Sequence, residues 1–349
     1  LGFAFFNLSE KTLLTTRLAW RSTGKTGGRC VVKSKGLLVK KLSKTKKYLV
    51  STTLALAAAV GSAQAERHVM ITHTQGQDPF WPVVERGARD AVKETGVQFE
   101  YVFNPSGDMA DMARLIETAA ASQPDGMVIS VPDVGAVGPA IKSAVASGVP
   151  VITINSGIEH YKALGALMHV GQDERQAGQS AGERAKREGV KGKAICLIHE
   201  AFNTAMVTRC EGYASGVGQA PSMVEVSVDM VQARTRVAAA LQADPSITAI
   251  HSVGADICEA ADKALTDLGA DLYHSCQDLT SGVINLIKQG RVAFSVDQQP
   301  YFQGYMPIVL LHLYNTNAGL LPGSNVVSGP AFVDRSNAEA VANRAGVTR

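Results

Sequence analysis

The sequence predicts an α/β protein of two doubly wound parallel-sheet domains. Three observations carry that prediction. From residue 68 onward, short apolar strand-like runs alternate with amphipathic helical stretches. Repeated βα units of this kind imply parallel sheets with right-handed crossovers. The rhythm restarts at residue 193, so two such halves follow one another. The runs are also continuously apolar, as in GMVISV at 126–131, which fits strands buried on both faces.

In the first half, 68–72 (HVMIT) reads as a strand. Residues 80–94 read as a helix, because Val83, Val84, Ala88, Ala91 and Val92 recur at helical spacing. Strand 97–103, helix 108–122, strand 126–131, helix 135–147, strand 149–154 and short strand 167–170 follow, then a helix over 174–188. The second half repeats the order with strand 193–198, helix 204–217, strand 224–228, helix 234–243, strand 247–251 and helix 257–268. Strand 271–274, helix 280–289 and strand 292–296 continue it. Gly148, Gly189 and Gly269 stand where helices should end, at positions that ask for a left-handed cap residue.

Charge divides the 349 residues into two unlike pieces. Residues 1–65 hold 12 of the 34 Lys and Arg and one of the 31 acids, Glu10. Residues 66–349 therefore carry 22 basic and 30 acidic side chains, a net of −8. Such a body lacks the basic face that counterion release requires, which argues against a nucleic-acid partner. It has no apolar run near the roughly 20 residues of a membrane span, and it is long enough for two packed domains.

Lys44, Lys46 and Lys47 precede an apolar stretch at 48–60, and Ala63-Gln64-Ala65 follows. That is the pattern of a secretory signal cleaved before Glu66. The alternative, a single membrane anchor, is disfavoured because the stretch is short and rich in Ala, Thr and Ser. Residue 66 is not Cys, so no lipid attachment is expected there. Residues 1–65 are thus expected to be a signal peptide, with the part upstream of a start near Val39 or Leu42 an extension of the gene model. Export permits disulfides. Cys196, Cys210, Cys258 and Cys276 allow three pairings. Cys196–Cys210 is preferred, since a strand end and the next helix lie close together, and buried free thiols are the alternative. No C-x-x-C or H-x-x-x-H spacing suggests a zinc site.

Ligands of open parallel sheets bind beyond the carboxyl ends of the strands, and facing domains would put those loops around one cleft. After the first strand comes His73-Thr74-Gln75-Gly76-Gln77-Asp78-Pro79-Phe80-Trp81. Asp78 is expected as a helix N-cap with Pro79 at the helix start. Phe80 and Trp81 lie about 100° apart on a helix, so both cannot easily face the core. An aromatic plate beside carboxylates and amides suits a carbohydrate, whose C–H faces stack while its hydroxyls bond. Packing of both rings under the next loop is the plainer alternative. Other strand ends present Asn155-Ser156-Gly157, His199-Glu200-Ala201-Phe202-Asn203-Thr204 leading to Arg209, Gln277-Asp278-Leu279-Thr280, and Asp297-Gln298-Gln299-Pro300-Tyr301. Arginine offers five fixed donors and a carboxylate accepts from two hydroxyls, so such a site rejects an analogue missing one hydroxyl. Any one of these residues could merely cap a helix, but their recurrence at strand ends in both halves points to a site.

Several of these segments occur in the order and spacing of a known family. They are Asp78-Pro79-Phe80-Trp81, Pro124-Asp125-Gly126, 148–155 (GVPVITIN), Gly171-Gln172-Asp173, Arg209-Cys210-Glu211-Gly212-Tyr213, Gln277-Asp278, and Gly290-Arg291 through Asp297-Gln298-Gln299-Pro300. The body resembles the sugar-binding proteins of ABC importers of the ribose-binding-protein type, the type I periplasmic binding proteins. The resemblance implies two lobes, 66–171 with 299–327 and 172–298 with 328–349, joined by a three-segment hinge that closes on a monosaccharide or sugar alcohol. It implies a periplasmic monomer that delivers its ligand to membrane permease subunits, with no cofactor, metal or catalysis. It carries ligand contact to Asp78, Phe80, Trp81, Asn155, Arg209, Asp278 and Gln298, with Phe202 as the second lobe's aromatic. Asp256 stands in for the amide missing at Gly254, and His73 and Asn203 complete the candidate set. The chain departs from the ribose pattern in Asp78 for Asn, Asn155-Ser156 for Asp-Arg, and Gln277 for an aromatic. These changes leave another pentose, a hexose, a deoxysugar, a polyol or a sugar-like signalling molecule open.

An exported sugar-modifying enzyme is the main competitor. The expectation is no G-x-S-x-G elbow, no H-E-x-x-H and no nucleophile–base pair. Asp78 and Asp278 could be imagined as paired carboxylates, yet simpler hydrogen-bonding roles suffice for both. A repressor on the same core would need a DNA-binding domain where the leader is read, and no G-x-G-x-x-G follows the first strand as a dehydrogenase would require.

Overall fold

A computed structural model describes residues 65–73 and 78–349. The expected leader, apart from Ala65, and the middle of the first-strand loop (74–77) lie outside the described residues. The first half runs β1 (Arg67–Thr72), α1 (Phe80–Thr95), β2 (Gln98–Phe103), α2 (Met109–Ala121), β3 (Gly126–Ser130), α3 (Val134–Ala146), β4 (Val151–Ile154), α4 (Tyr161–Leu164) and β5 (Met168–Gly171). The second runs α5 (Glu174–Arg187), β6 (Lys193–Ile198), α6 (Thr204–Val217), β7 (Met223–Glu225), α7 (Met230–Ala243), β8 (Ile247–Ser252), α8 (Ala255–Leu268), β9 (Tyr273–Gln277), α9 (Ser281–Gln289) and β10 (Phe294–Asp297). The chain ends with α10 (Pro300–Thr316), β11 (Val326–Val327), β12 (Ala331–Asp334) and α11 (Ala338–Val341).

Two six-stranded sheets result, ordered β11-β5-β4-β3-β1-β2 and β12-β10-β9-β8-β6-β7. The two orders match strand for strand. Every ladder is parallel except β10–β12, which is antiparallel and departs from the all-parallel expectation. The chain passes between the sheets three times, after β5, after β10 and between β11 and β12. Because side chains alternate along a strand, Val69 and Ile71 enter one core while Met70 enters the core on the opposite face. Burial on both faces is what a doubly wound sheet demands.

The sequence reading assigns no helix or strand beyond residue 296, yet α10 has 17 residues. Its apolar residues do not form one stripe, and it contains Pro307, so it carries little periodic signal. Strand β9 starts at Tyr273 and reaches Gln277 rather than spanning 271–274. His274, Ser275 and Gln277 are polar but wholly buried, which hides the strand from a reading based on apolar runs. Pro79 rather than Asp78 occupies the N-cap of α1, and Asp78 Oδ1 accepts from the Phe80 N–H at 2.9 Å. Cysteines 196 and 210 form the preferred disulfide, and Cys258–Cys276 forms a second.

One motif corrects the expectation of no G-x-S-x-G string. Gly178-Gln179-Ser180-Ala181-Gly182 fits it, but inside α5 rather than at a strand–helix elbow. These glycines serve close packing. A Cβ at Gly178 would lie 2.0 Å from the Arg209 carbonyl oxygen, and one at Gly212 would lie 2.4 Å from the Arg175 carbonyl. Backbone-to-backbone contact thus seats α6, and Arg209 with it, against α5.

Candidate functional site

Matching the two sheets strand for strand makes the site intelligible. His73 follows β1 as His199 follows β6. Asn155 follows β4 as Asp278 follows β9, and both adopt left-handed backbone, with φ of 59° and 66°. Asn and Asp tolerate that region better than other side-chain-bearing residues. Gln298 follows β10 at the second passage between the sheets. The strand ends of both halves thus converge on one junction.

A hydrogen-bonded chain crosses it. Asn155 Nδ2 donates to Gln298 Oε1 at 3.4 Å, and Gln298 Nε2 donates to Asp278 Oδ1 at 2.9 Å. Gln303 Nε2 holds the Gln298 side chain from behind at 3.1 Å. From α6, Arg209 donates through Nε to Glu174 Oε2 at 2.7 Å and through Nη1 to the Val253 carbonyl at 2.9 Å. Arg209 and Glu174 are only 3% and 1% exposed. Breaking such a buried pair by removing one partner is costly, so Glu174 anchors Arg209 and leaves the rest of the guanidinium fork for the cavity.

His73, Asp78, Phe80, Trp81, Asn155, Asn203, Arg209, Asp278 and Gln298 all line one inner cavity of about 30 Å³. Phe202 and Asp256 do not line it. Both border an outer chamber of about 510 Å³ that shares Asp78 and His199 with the inner one. Phe202 is 42% exposed there, so it does not face Trp81 as the second jaw of a ring clamp; Met206 and Val253 form that wall. Asp256 Oδ1 accepts from the Ile257 N–H at 2.8 Å at the start of α8. Trp81 is 1% exposed, edge-on to His73 and Phe80 at 4.8 and 5.0 Å between ring centroids, and packs into the core under β1. It borders the cavity but offers less free face than the sequence suggests.

His199 and Glu200, outside the candidate set, also border the site. Both stand in the loop after β6, and His199 is the strand-order counterpart of His73. His199 Nδ1 is buried without a protein partner. Glu174 also escaped notice, because a helix-start glutamate looks like an ordinary surface residue.

The halves touch directly around the cavity. Thr204 donates from its backbone N–H and its Oγ1 to the Pro132 carbonyl at 2.9 and 3.0 Å. Ser156 Oγ donates to Asn203 Oδ1 at 3.3 Å. A 30 Å³ space is about one water's share of liquid volume. That is too small for a molecule of sugar size.

Burial raises the Asp278 carboxyl to about 7, with Arg209 and the Gln298 hydrogen bond only partly opposing it. Burial and the nearby Asp256 carboxylate push Asp78 well above the ordinary range. Glu200 goes the other way. Burial opposes its ionisation, but His73, His199 and the Asn203 amide outweigh it and hold the carboxyl at about 2. The cavity thus mixes acceptors, amide groups and one guanidinium, a set that pairs with vicinal hydroxyls. Among the described residues, Cys258, His274 and Cys276 bring metal-ligating atoms within 4.8 Å of one another, but the two sulfurs are joined to each other. No helix among the described residues is long and apolar enough to cross a membrane.

Comparison with known proteins agrees with this architecture. Residues 69–317 match the family described as periplasmic binding protein domain. The xylose/arabinose-binding protein XylF of Sulfolobus acidocaldarius is 23% identical over 286 residues, covering 77% of this chain and 71% of that protein. The ribose import binding protein RbsB of Salmonella typhimurium is 25% identical over 261 residues, covering 72% and 86%. Among solved structures, a carbohydrate transporter from Acidothermus cellulolyticus, crystallised in complex with myo-inositol, is 38% identical with a TM-score of 0.77, over 81% of this chain and 98% of that one.

Proposed function

Since the chain belongs to the periplasmic binding protein family, we propose that it is the solute receptor of an ABC importer for a monosaccharide or cyclic polyol. The observation that carries the reading is the convergence of Asp78, Asn155, Arg209, Asp278 and Gln298 on one cavity bordered by Phe80 and Trp81, at the junction of two sheets. Carboxylate, amide and guanidinium groups at fixed angles bond hydroxyls, and their burial penalises any ligand that leaves one unpaired. The 38% identical neighbour was crystallised with myo-inositol, which makes cyclic polyols the first class to test.

In this reading, residues 66–171 with 299–327 and residues 172–298 with 328–349 are the two lobes. They part to admit the ligand and close on it as a hinge motion. Residues 1–65 are a signal that directs a periplasmic monomer, and the closed form docks on permease subunits. Asp78, Asn155, Asn203, Arg209, Asp278 and Gln298 are the polar wall that meets the ligand, and Phe80 and Trp81 the apolar one. Phe202 and Asp256 act at the mouth. The curated relatives named above are binding proteins, and binding with release is all this reading asks of the cavity.

After removal of the leader Trp81 is the sole tryptophan. Titration of myo-inositol, pentoses and hexoses, followed by Trp81 emission and by melting temperature, tests the proposal, since a ligand specific to the folded form raises the melting point. One ligand of micromolar or tighter affinity is expected. No shift with any sugar or polyol refutes it.

A further inference from the structure

We propose that His73 is a positioning residue which latches the closed form through Glu200. The proposal rests on reading the cavity as the ligand site, but it concerns the contact between the two halves rather than the ligand itself.

His73 belongs to the first half, after β1, and Glu200 to the second, after β6. The His73 ring is held on its own side by Ser130, whose Oγ lies 2.8 Å from Nδ1 and accepts from the His73 backbone N–H at 3.0 Å. The Trp81 ring abuts it edge-on. With one nitrogen facing Ser130, Nε2 points across the junction to Glu200 Oε2 at 3.4 Å. Glu200 is oriented in turn by Asn203 Nδ2, which donates to the same oxygen at 2.9 Å.

Both imidazole nitrogens therefore face protein groups, and neither is left over for a hydroxyl. His73 and Glu200 are only 2% and 5% exposed, so the pair exists in this form only while the halves are shut. When the halves part, both groups regain water. An ion pair or charge-assisted bond screened from solvent is stronger than one in water, so the contact favours the closed form. Its partners come from both halves. Asn203 carries the effect onward, because its Oδ1 accepts from Ser156 beside Asn155 and from the Ala205 N–H at the start of α6. The latch thus fixes the helix that presents Arg209.

The test uses the mature protein with His73→Gln, His73→Ala, Glu200→Gln and the His73→Ala/Glu200→Gln double variant. Gln at 73 can still present an N–H toward Glu200 and serves as the conservative rescue. Stopped-flow binding of myo-inositol, or of whichever sugar the titration identifies, should show dissociation at least ten-fold faster in His73→Ala and Glu200→Gln. Association should stay within about three-fold, His73→Gln should recover most of the loss, and the double variant should be no worse than the worse single one. Small-angle scattering of ligand-free protein reads the latch independently of any sugar, with a larger radius of gyration expected in Glu200→Gln than in the parent. Opening without any sugar binding supports the latch while sinking the ligand assignment. Unchanged scattering and dissociation in both single variants, or losses that add in the double variant, overturn the latch.

Discussion

Gly178→Ala tests the link between helix packing and the binding cavity without touching a cavity residue. An added Cβ would sit 2.0 Å from the Arg209 carbonyl oxygen and 2.9 Å from the Tyr213 amide nitrogen, and both are backbone atoms that cannot rotate away. Real Cβ atoms essentially never approach within 3.0 Å, so α6 must withdraw from α5 by at least 1.0 Å at that point. Overpacking of this kind costs about 1–3 kcal/mol, and alanine returns at most about 1 kcal/mol through helix propensity. With the full propensity gain returned, the expected net loss from packing is up to about 2 kcal/mol, or a few degrees in melting temperature.

The consequence for binding is larger than the stability loss suggests. Glu174 lies on α5 and Arg209 on α6, so the same withdrawal stretches their 2.7 Å hydrogen bond toward 3.7 Å, beyond hydrogen-bonding range. Arg209 then loses its aim, and affinity should fall by at most the one hydrogen bond to a charged group that it would give the ligand, about 1.5–3 kcal/mol, or up to roughly ten- to hundred-fold. Gly138→Ala in α3 is the control, because its Cβ would meet only flexible side-chain ends of Leu164 and Val134 at 3.3 Å. Scanning calorimetry and isothermal titration measure both quantities. A Gly178→Ala protein that melts no lower than the parent refutes the packing argument; one that melts lower yet binds unchanged removes Arg209 from the site.

Other expectations follow from the same geometry. Arg209→Ala and Asp278→Ala should each weaken binding by roughly 2–4 kcal/mol in calorimetric titration, since one removes a guanidinium and the other a hydrogen-bonding carboxyl from a closed cavity; unchanged affinity in both removes them from the site. Asp278 has its pKa raised by burial from 3.8 to about 7, so its contribution to the stability of the closed form is complete below pH 4 and is lost as pH rises through 7. The ligand-free melting temperature should therefore fall between pH 4 and 7, and Asp278→Asn should flatten that slope; an equal slope in the variant refutes the assignment. Glu200, held at about 2, contributes in the opposite sense, with stability fully present well above pH 4.5 and lost progressively as pH falls toward 2, so it opposes the Asp278 slope only at the acid end of that window. Each disulfide closes a loop of 14 or 18 residues, so replacing either cysteine pair by serine should cost about 2–4 kcal/mol of stability measured by denaturant unfolding.

The alternation of strand and helix is legible because each strand must be apolar on both sides and each helix on one. That physics writes itself into runs such as 126–131 and into the spacing of Val83, Val84, Ala88 and Ala91. It fails where burial is satisfied by polar groups. Strand β9 hides because His274 and Ser275 bond to Ser252 and His251 of the neighbouring strand instead of packing as apolar side chains. Helix α10 hides because it presents apolar residues on more than one side. At the site, the polar wall can be read because strand ends are where an open sheet exposes its loops. The position of Phe202 cannot, since one turn of loop separates the inner cavity from the outer chamber and no local pattern encodes that distance. Glu174 is invisible for a related reason, because its partner lies 35 residues away and the glycines that join the two helices resemble a catalytic string.

The two halves share a plan but divide the labour. At matching positions after the fourth strand of each sheet, the first half places neutral Asn155 and the second places ionisable Asp278, both in the same left-handed backbone. At the helix that follows the first strand of each half, Phe80 and Trp81 on one side and Asn203 and Met206 on the other line the same cavity. The guanidinium comes from the second half alone, and both disulfides lie there too, joining β6 to the helix that carries Arg209 and α8 to the strand that leads into Asp278. A charged group held in a dry cavity must be aimed before the ligand arrives, because reorienting it afterwards would consume binding energy. Cross-links beside Arg209 and Asp278 supply that rigidity in the half that needs it, while the apolar wall of the other half is fixed by core packing. In the proposed reading, closure would bring the cross-linked half, with Arg209 and Asp278, onto a half whose Phe80 and Trp81 are already seated in core packing.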